Sequence, residues 1–287
     1  MAHVRIIPRL DIKGPNLVKG IHFEGLRVLG KPEDFARHYY ESGADELIYQ
    51  DAVASLYGRN SLLDIVEKTA REIFIPLAVG GGLRSVEDIN RVLRAGADKV
   101  SLNTAAIGNP GLISEAARRF GSSTIIVSIE AVKTPKGYEA LTDYGRETSG
   151  KDAIEWARQA VSLGAGELMV TSITNEGTGK GFDLELIRTI AESVSVPVIA
   201  GGGAGSAEHV HEVIEIGRAE AVALASILHY DFVNRHRATD KDYETEGNTE
   251  FLKKGTGFSK VQASSLPQIK RHLAQRGVDC RPPREEC

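Results

Sequence analysis

The feature that most constrains this chain is a glycine-ended apolar segment that occurs twice. The first copy is PLAVGGGLR at residues 76–84, and the second is PVIAGGGAG at residues 197–205. Each copy predicts a buried strand that leads through glycines into a helix, with Ser85 and Ser206 as the helix N-caps. The glycines leave backbone N–H groups uncovered at the carboxyl end of a strand, where an anion can approach closely. Two copies therefore predict two phosphate sites, or one phosphate at each end of a long substrate.

Strand-like and helix-like segments alternate along the chain, which predicts an α/β protein. Eight strand–helix units in a row favour a single closed (βα)8 TIM barrel over a doubly wound sheet, which usually has fewer units and one glycine fingerprint. The predicted strands are residues 5–10, 46–50, 76–79, 99–102, 124–129, 167–171, 196–200 and 221–224. The predicted helices are residues 32–42, 61–71, 85–95, 110–120, 152–163, 184–193, 207–216 and 266–276.

The repeat extends beyond the glycines and predicts two fused half-barrels. GADELI at residues 43–48 is similar to GAGELM at residues 164–169, an offset of about 120 positions that the glycine segments share. Each half supplies one acid after its first strand, Asp11 or Glu130, and one glycine turn after its third. A two-fold arrangement of the functional groups follows from this repeat.

Three segments interrupt the regular pattern within a single domain that spans residues 1–287. Residues 13–29 are glycine-rich and predict a mobile active-site loop, and residues 132–150 predict a small hairpin. Residues 234–264 are polar with little periodicity, which predicts a surface insertion or a partly disordered loop before the last helix. A short polar tail occupies residues 278–287.

Composition excludes several classes of function. The net charge of -4 gives no reason to expect a nucleic acid or a membrane surface as partner, and no apolar run is long enough for a membrane span. The start of the chain does not have the pattern of a signal peptide, and both cysteines, Cys280 and Cys287, lie in the tail. We expect a cytoplasmic protein with no metal site and no cofactor.

Four acidic residues come at or just after predicted strand ends, where barrel enzymes place their active sites. These are Asp11, Asp51, Glu130 and Glu176. Asp11 and Glu130 are repeat partners, so they would face each other across the mouth of the barrel. Two facing carboxylates suit general acid and general base catalysis when their environments separate their pKa values. The alternative is that acids after strands cap helices or bind water.

Two phosphate-binding cradles follow from the repeated glycines. The first cradle comprises Gly81 and Gly82 with Asn103 and Thr104. The second comprises Gly202 and Gly203 with Ala225, Ser226 and the turn Gly177-Thr178. Backbone N–H groups and a hydroxyl are suitable donors for a dianion, although the glycines could instead serve only tight turns.

A second charged set lies at the opposite end, where the strands begin. Arg5, Glu46, Lys99 and Glu167 each stand at a predicted strand start, two basic and two acidic. If they point inward, they form a ring that closes the barrel floor, and such buried charges must be paired. A gate between the barrel interior and a partner explains this ring better than a structural plug. Ordinary surface ion pairs are the alternative.

At these positions the chain resembles the cyclase subunit of imidazole glycerol phosphate synthase, from histidine biosynthesis. The similarity covers roughly residues 4–232 and the last helix, and its motifs are specific only in combination. The matching segments are RIIPRLD at 5–11, VKG at 18–20, VGGG at 79–82, ADKVS at 97–101, NTAA at 103–106, GT at 177–178 and GGAG at 202–205.

The resemblance implies a (βα)8 barrel that binds a bis-phosphorylated substrate. A partner glutaminase at the barrel floor would supply ammonia, which crosses the barrel and is used to cleave and cyclise the substrate. The resemblance makes Asp11 and Glu130 the acid–base pair, with help from Lys19. It makes the floor ring an ammonia gate and Asp98 a contact to the glutaminase.

The chain also departs from the family pattern near the substrate. The family has an aspartate at Glu130, a cysteine at Arg9 and a serine at Gly201, and it has Asp-x-Asp-Gly-Thr where this chain has TNEGT at 174–178. Two alternatives to the cyclase therefore stay open. One is a paralogue that delivers ammonia to a different acceptor, such as a nucleotide-linked sugar. The other is a non-enzymatic barrel that only relays ammonia or activates the glutaminase.

Overall fold

The computed structural model describes residues 3–54, 62–236 and 261–283, and these residues form a closed barrel of eight parallel strands. Each barrel strand pairs in parallel with the next, and the last pairs with the first to close the circuit. This confirms the predicted (βα)8 barrel. In order around the barrel, the strands are β1 (Arg5–Lys13), β4 (Leu47–Asp51), β5 (Leu77–Gly80), β6 (Lys99–Leu102), β7 (Ile125–Thr134), β10 (Glu167–Ser172), β11 (Val198–Gly201) and β12 (Ala221–Leu224).

Amphipathic helices surround the barrel and bury their apolar faces against the strands. The two predicted serine caps are formed, because Ser85 Oγ accepts a hydrogen bond from Asp88 N at 3.1 Å and Ser206 Oγ accepts one from His209 N at 3.3 Å. The helices are α1 (Pro32–Glu41), α2 (Leu63–Ala70), α3 (Val86–Arg94), α4 (Thr104–Gly108), α5 (Gly111–Phe120), α6 (Ala153–Ser162), α7 (Leu184–Ala191), α8 (Ala207–Glu215), α9 (Ser226–Arg235) and α10 (Leu266–Gln275). Helices α4 and α9 were not predicted.

Each half of the barrel carries a β-hairpin after its first strand. The hairpin β2 (Asn16–Ile21) and β3 (Glu24–Gly30) follows β1, and the hairpin β8 (Gly137–Thr142) and β9 (Glu147–Asp152) follows β7. The second hairpin was predicted. The first segment was predicted as a mobile loop, which is wrong for its structure, because β2 pairs with β1 and buries Leu17 and Val18.

Residues 1–2, 55–61, 237–260 and 284–287 lie outside the described residues. Most of the insertion predicted at 234–264 therefore stays a prediction, as does the end of the polar tail. Among the described residues, no helix has the length and apolar character needed to cross a membrane.

Alternation along β1 orders the barrel interior from floor to mouth. Ile6, Leu10 and Ile12 pack in the main core with the helices, so the alternate residues of β1 face the barrel axis. From the floor upward these are Arg5, Ile7, Arg9 and Asp11. A small apolar layer fills the interior at the level of Ile7 and separates the two charged ends; its members are Ile7, Ile48, Ala78, Ile126, Met169, Ile199, Ala221 and Ala223.

Candidate active site

The two predicted acids lie on opposite sides of the barrel mouth. Asp11 is on β1 and Glu130 is on β7, and these strands are four places apart in the ring of eight. Both side chains are buried, and each residue is only 2% exposed. Asp11 Oδ1 accepts a hydrogen bond from Arg9 Nε at 3.0 Å, whereas Glu130 Oε2 accepts one from the neutral Asn103 Nδ2 at 3.0 Å. The repeat thus brings together two carboxylates with different partners.

These different surroundings act on the proton affinity of Glu130. Burial raises the pKa of Glu130 to about 7, the charge of Arg9 lowers it, and the charge of Asp11 raises it again. A carboxyl group with this pKa holds its proton for part of the time at neutral pH. Glu130 therefore has the property that general acid catalysis requires.

A cavity of about 310 Å³ opens at the mouth and joins Glu130 to the first predicted phosphate cradle. Gly81 and Gly82 both have positive φ, and a Cβ on Gly81 would lie 2.5 Å from Asp51 O, so a side chain there would collide with the backbone. The parallel pairing of β5 with β6 places these glycines beside Asn103 and Thr104. The residues that line the cavity include Asp51, Gly81, Gly82, Asn103, Thr104, Ala105, Glu130 and Tyr144.

The second predicted cradle has the same construction. Gly202 and Gly203 have positive φ, and a Cβ on Gly203 would lie 2.0 Å from Gly181 O. Strand β11 pairs with β12, which places the glycines beside Ala225 and Ser226 at the start of α9. The turn Gly177-Thr178 packs against β2, since a Cβ on Gly177 would lie 2.6 Å from Gly20 O.

Lys19 reaches the mouth from the β2–β3 hairpin. Its ammonium group forms a buried ion pair with the Glu176 carboxylate, and Lys19 is 2% exposed. A Cβ on Gly202 would lie 3.2 Å from Glu176 Oε2, so this ion pair adjoins the second cradle. The acid at Glu176 thus stays within the site even though the surrounding TNEGT segment departs from the family pattern.

Asp51 supports both of the interpretations made from the sequence. Its Oδ1 accepts hydrogen bonds from the backbone N–H groups of Val53 and Ala54, each at 2.9 Å, which is the structural role of a cap. Asp51 also lines the cavity beside Gly81. It is therefore both a local cap and part of the cavity wall.

The sequence did not identify the aromatic pair that covers the mouth. Phe23 and Tyr144, in the turns of the two hairpins, both have positive φ, and their ring centroids are 4.2 Å apart. The hydroxyl of Tyr144 is buried with no hydrogen-bond partner among the described residues, and burial raises its pKa well above the usual value. The polar side chains of Gln50, Ser101 and Ser128 also line the cavity and were missed. They could have been predicted from the sequence, because alternate residues along β4, β6 and β7 face the barrel interior.

The four predicted floor residues form a closed ring of ion pairs. Arg5 Nη1 lies 2.8 Å from Glu46 Oε2 and 3.0 Å from Glu167 Oε2. Lys99 Nζ lies 2.9 Å from Glu46 Oε1 and 2.7 Å from Glu167 Oε1. Each cation therefore bridges both carboxylates. Burial alone would lower the pKa of Arg5, but the two carboxylates together raise it. The four residues thus form the connected ring that an inward orientation would give, rather than scattered surface ion pairs.

Asp98 lies next to this ring, at the turn that leads into β6. It is exposed, and its Oδ2 accepts a hydrogen bond from Leu77 N at 2.9 Å. The other oxygen can face outward from the floor. Within residues 3–54, 62–236 and 261–283, no cluster of three or more His, Cys, Asp or Glu side chains is arranged to hold a metal ion.

Comparison with known proteins points to one family. The profile of a family described as "Histidine biosynthesis protein" matches residues 5–234. The imidazole glycerol phosphate synthase subunit HisF of Legionella pneumophila is 59% identical over 209 residues, which is 72% of this chain and 99% of that protein. The protein of the same name from Thermobifida fusca is 49% identical over 233 residues, which is 79% of this chain and 91% of that protein.

Proposed function

The chain belongs to the histidine biosynthesis protein family, and we propose that it is the synthase subunit that makes imidazole glycerol phosphate. The subunit would use ammonia from a glutaminase to cleave and cyclise a bis-phosphorylated ribulosyl-formimino substrate. The second product would be an aminoimidazole carboxamide ribotide. The observation that carries the proposal is the pair of facing acids, Asp11 and Glu130, between two glycine cradles. A different ammonia acceptor is not favoured, because the two relatives carry the same name at high identity.

The two cradles would hold the two phosphates of the substrate. One phosphate would accept hydrogen bonds around Gly81, Gly82, Asn103 and Thr104, where a cavity of about 310 Å³ is available. The other would bind around Gly202, Gly203, Ala225, Ser226 and the turn Gly177-Thr178. Anchoring at both ends fixes the middle of the substrate over the barrel axis, and this lowers the entropic cost of reaching the transition state.

The acid–base pair would act on the middle of the substrate. Asp11 is the general base and Glu130 the general acid, in the assignment that the pKa of about 7 for Glu130 favours. Lys19 would assist from the hairpin above. In this structure its charge is held by Glu176, so substrate binding would redistribute that pairing.

The floor would receive ammonia from a glutaminase. The ring of Arg5, Glu46, Lys99 and Glu167 closes the end of the barrel opposite the cradles, and the apolar layer at Ile7 lies directly inside it. A small neutral molecule such as ammonia crosses an apolar layer far more readily than an ion does. Asp98, exposed beside the ring, would contact the glutaminase.

The direct test supplies the purified protein with ammonium and the histidine-pathway substrate. We expect consumption of the substrate without a glutaminase, and no turnover by a folded protein would reject the proposal. Asp11→Asn tests the relay-only alternative, and Asp64→Asn on the exposed face of α2 is the matched control. If product formation survives Asp11→Asn unchanged, the barrel performs no chemistry. Complementation of a histidine auxotroph gives an independent result in cells.

A further inference from the structure

Arg9 crosses the barrel interior between the apolar layer and the mouth. It extends from β1, and its Nη1 lies 3.3 Å from Thr171 Oγ1 on β10. These two strands are not neighbours in the barrel, so the side chain spans the interior. Arg9 is only 3% exposed, which places a full positive charge at the centre of the barrel.

Three further contacts fix this side chain and its backbone. Nε donates to Asp11 Oδ1 at 3.0 Å, and the guanidinium carbon lies 5.0 Å from the centroid of the Phe23 ring. The carbonyl of Arg9 pairs with His229 Nε2 at 3.0 Å, while His229 Nδ1 pairs with the Tyr39 hydroxyl at 2.7 Å. Burial lowers the pKa of His229 to about 3, so this histidine is neutral and donates from Nε2.

One donor of the Arg9 guanidinium is not satisfied by the fold. Arg9 Nη2 is buried and has no hydrogen-bond partner among the described residues. An unpaired buried donor of a charged group is costly, so this nitrogen does not stabilise the fold. The charge acts instead on the acids of the mouth, because Asp11, Glu130 and Glu176 all lie close enough to affect the guanidinium.

We propose that Arg9 is a positioning residue for the reaction. Its guanidinium holds the Asp11 side chain in one orientation through the Nε hydrogen bond, and its charge acts on Glu130 across the mouth. The inference rests on the proposed function, since it assigns Arg9 a task toward the proposed acid and base. Arg9 need not touch the substrate to perform this task.

The groups that face Glu130 give the direction of the effect. They are the charges of Arg9 and Asp11, the phenol of Tyr144, the Asn103 amide and the backbone N–H of Gly145. Burial raises the pKa of Glu130, and Arg9 is the only cation among these groups. Removal of Arg9 therefore raises the pKa of Glu130 above about 7 and makes it a weaker acid.

The test compares Arg9→Met, which removes the charge, with Arg9→Lys, which keeps it. Turnover is measured with ammonium as the nitrogen source over a range of pH, and Arg91→Met on exposed α3 is the matched control. For Arg9→Met we expect kcat to fall by about 10²-fold, because the acid–base step is impaired, and KM to change little, because the phosphates bind elsewhere. The alkaline limb of the kcat/KM profile should move to higher pH. Arg9→Lys should return the limb toward its original position.

A loss of kcat with an unmoved limb, or a change in KM alone, would overturn the positioning role. The titration of Glu130 is followed independently by NMR of protein labelled with ¹³C at the glutamate carboxyl, with Glu130→Gln for assignment. If the wild-type protein does not convert the substrate, the proposed function fails, and the titration alone decides the role of Arg9. Where Arg9→Met does not fold, Arg9→Gln removes the charge and keeps a donor for Asp11.

Discussion

The floor and the mouth of the barrel both contain buried charges, but they balance them differently. At the floor, two cations meet two carboxylates, and each of the four groups bridges both opposite charges. At the mouth, Arg9 pairs with Asp11 and Lys19 pairs with Glu176. Glu130 has no ion pair within the described residues, and its Oε2 accepts a hydrogen bond from the neutral Asn103 amide.

The floor is therefore a closed network of ion pairs, whereas the mouth is a site that can exchange protons. The floor ring has two positive and two negative charges, and each charge lies beside both of its opposites. At the mouth, burial raises the pKa of Glu130 to about 7, so this carboxyl group can both hold and release a proton near neutral pH. The mouth is therefore the end where acid–base chemistry can occur.

Glu130→Gln should have the largest effect on the mouth. The amide keeps the shape of the side chain and cannot donate an acidic proton, so ammonium-dependent kcat should fall by about 10³-fold. In the wild-type protein, kcat/KM should decline above about pH 7, where Glu130 loses its proton, and this decline should be absent from the residual activity of the variant. Steady-state kinetics from pH 5 to 9 would measure both. A kcat within tenfold of wild type would remove Glu130 from the acid–base pair.

The repeat explains why so much of this contrast was predictable from the sequence. Alternation of apolar segments gave all eight barrel strands, and the shared offset paired Asp11 with Glu130 and each glycine turn with its counterpart. Because Arg5, Glu46, Lys99 and Glu167 stand at predicted strand starts, they could be assigned to the floor. These predictions depend on local pattern and on the order of elements along the chain.

The unpredicted features depend on contacts between distant segments. The pairing of β2 with β1 converts a glycine-rich segment into a hairpin, and the contact of Phe23 with Tyr144 joins the two halves. The position of Arg9 across the barrel requires Thr171, which is 162 residues away. A single sequence shows that residue 9 is an arginine, but it does not show that the side chain contacts Thr171 across the barrel. The helix α9 was hidden because His229 and Asp231 interrupt its apolar pattern, although both are buried.

The raised pKa of Glu130 should also affect the stability of the protein. The pKa of Glu130 is raised from 4.5 to about 7, so the folded protein keeps a proton that the unfolded chain releases. The free energy of unfolding should therefore fall as pH rises from about 4.5 to about 7, by on the order of 1–3 kcal/mol. Glu130→Gln should remove this slope and be the more stable protein at pH 8. Urea unfolding at pH 5 and pH 8 tests this, with exposed Glu115→Gln on α5 as the control; equal slopes in both variants would contradict it.

Breaking the floor ring should cost stability rather than chemistry. Lys99→Met leaves Glu46 and Glu167 with Arg5 as their shared cation. Because Glu46 is 1% exposed but Lys99 is partly solvated, we expect a loss of about 2 kcal/mol in the free energy of unfolding. Ammonium-dependent turnover should be nearly unchanged. With a glutaminase present, the ratio of glutamine-dependent to ammonium-dependent turnover should change if the ring gates ammonia. Loss of the ammonium-dependent reaction itself would place the ring in the chemistry and abolish the contrast between the two ends.

The smallest effect on stability is expected for the ion pair between Arg37 and Glu72. It is as short as the contacts of the floor ring but lies at the surface. Arg37 Nη2 lies 2.5 Å from Glu72 Oε2, which is closer than any contact within the ring, but both side chains are about half exposed. Water already solvates both charges, so Arg37→Met should leave the free energy of unfolding unchanged within error. Chemical denaturation beside Lys99→Met makes the comparison direct. If the two variants were equally destabilised, burial would not be what distinguishes the floor ring from an ordinary surface ion pair, and it could not be what sets Glu130 apart at the mouth.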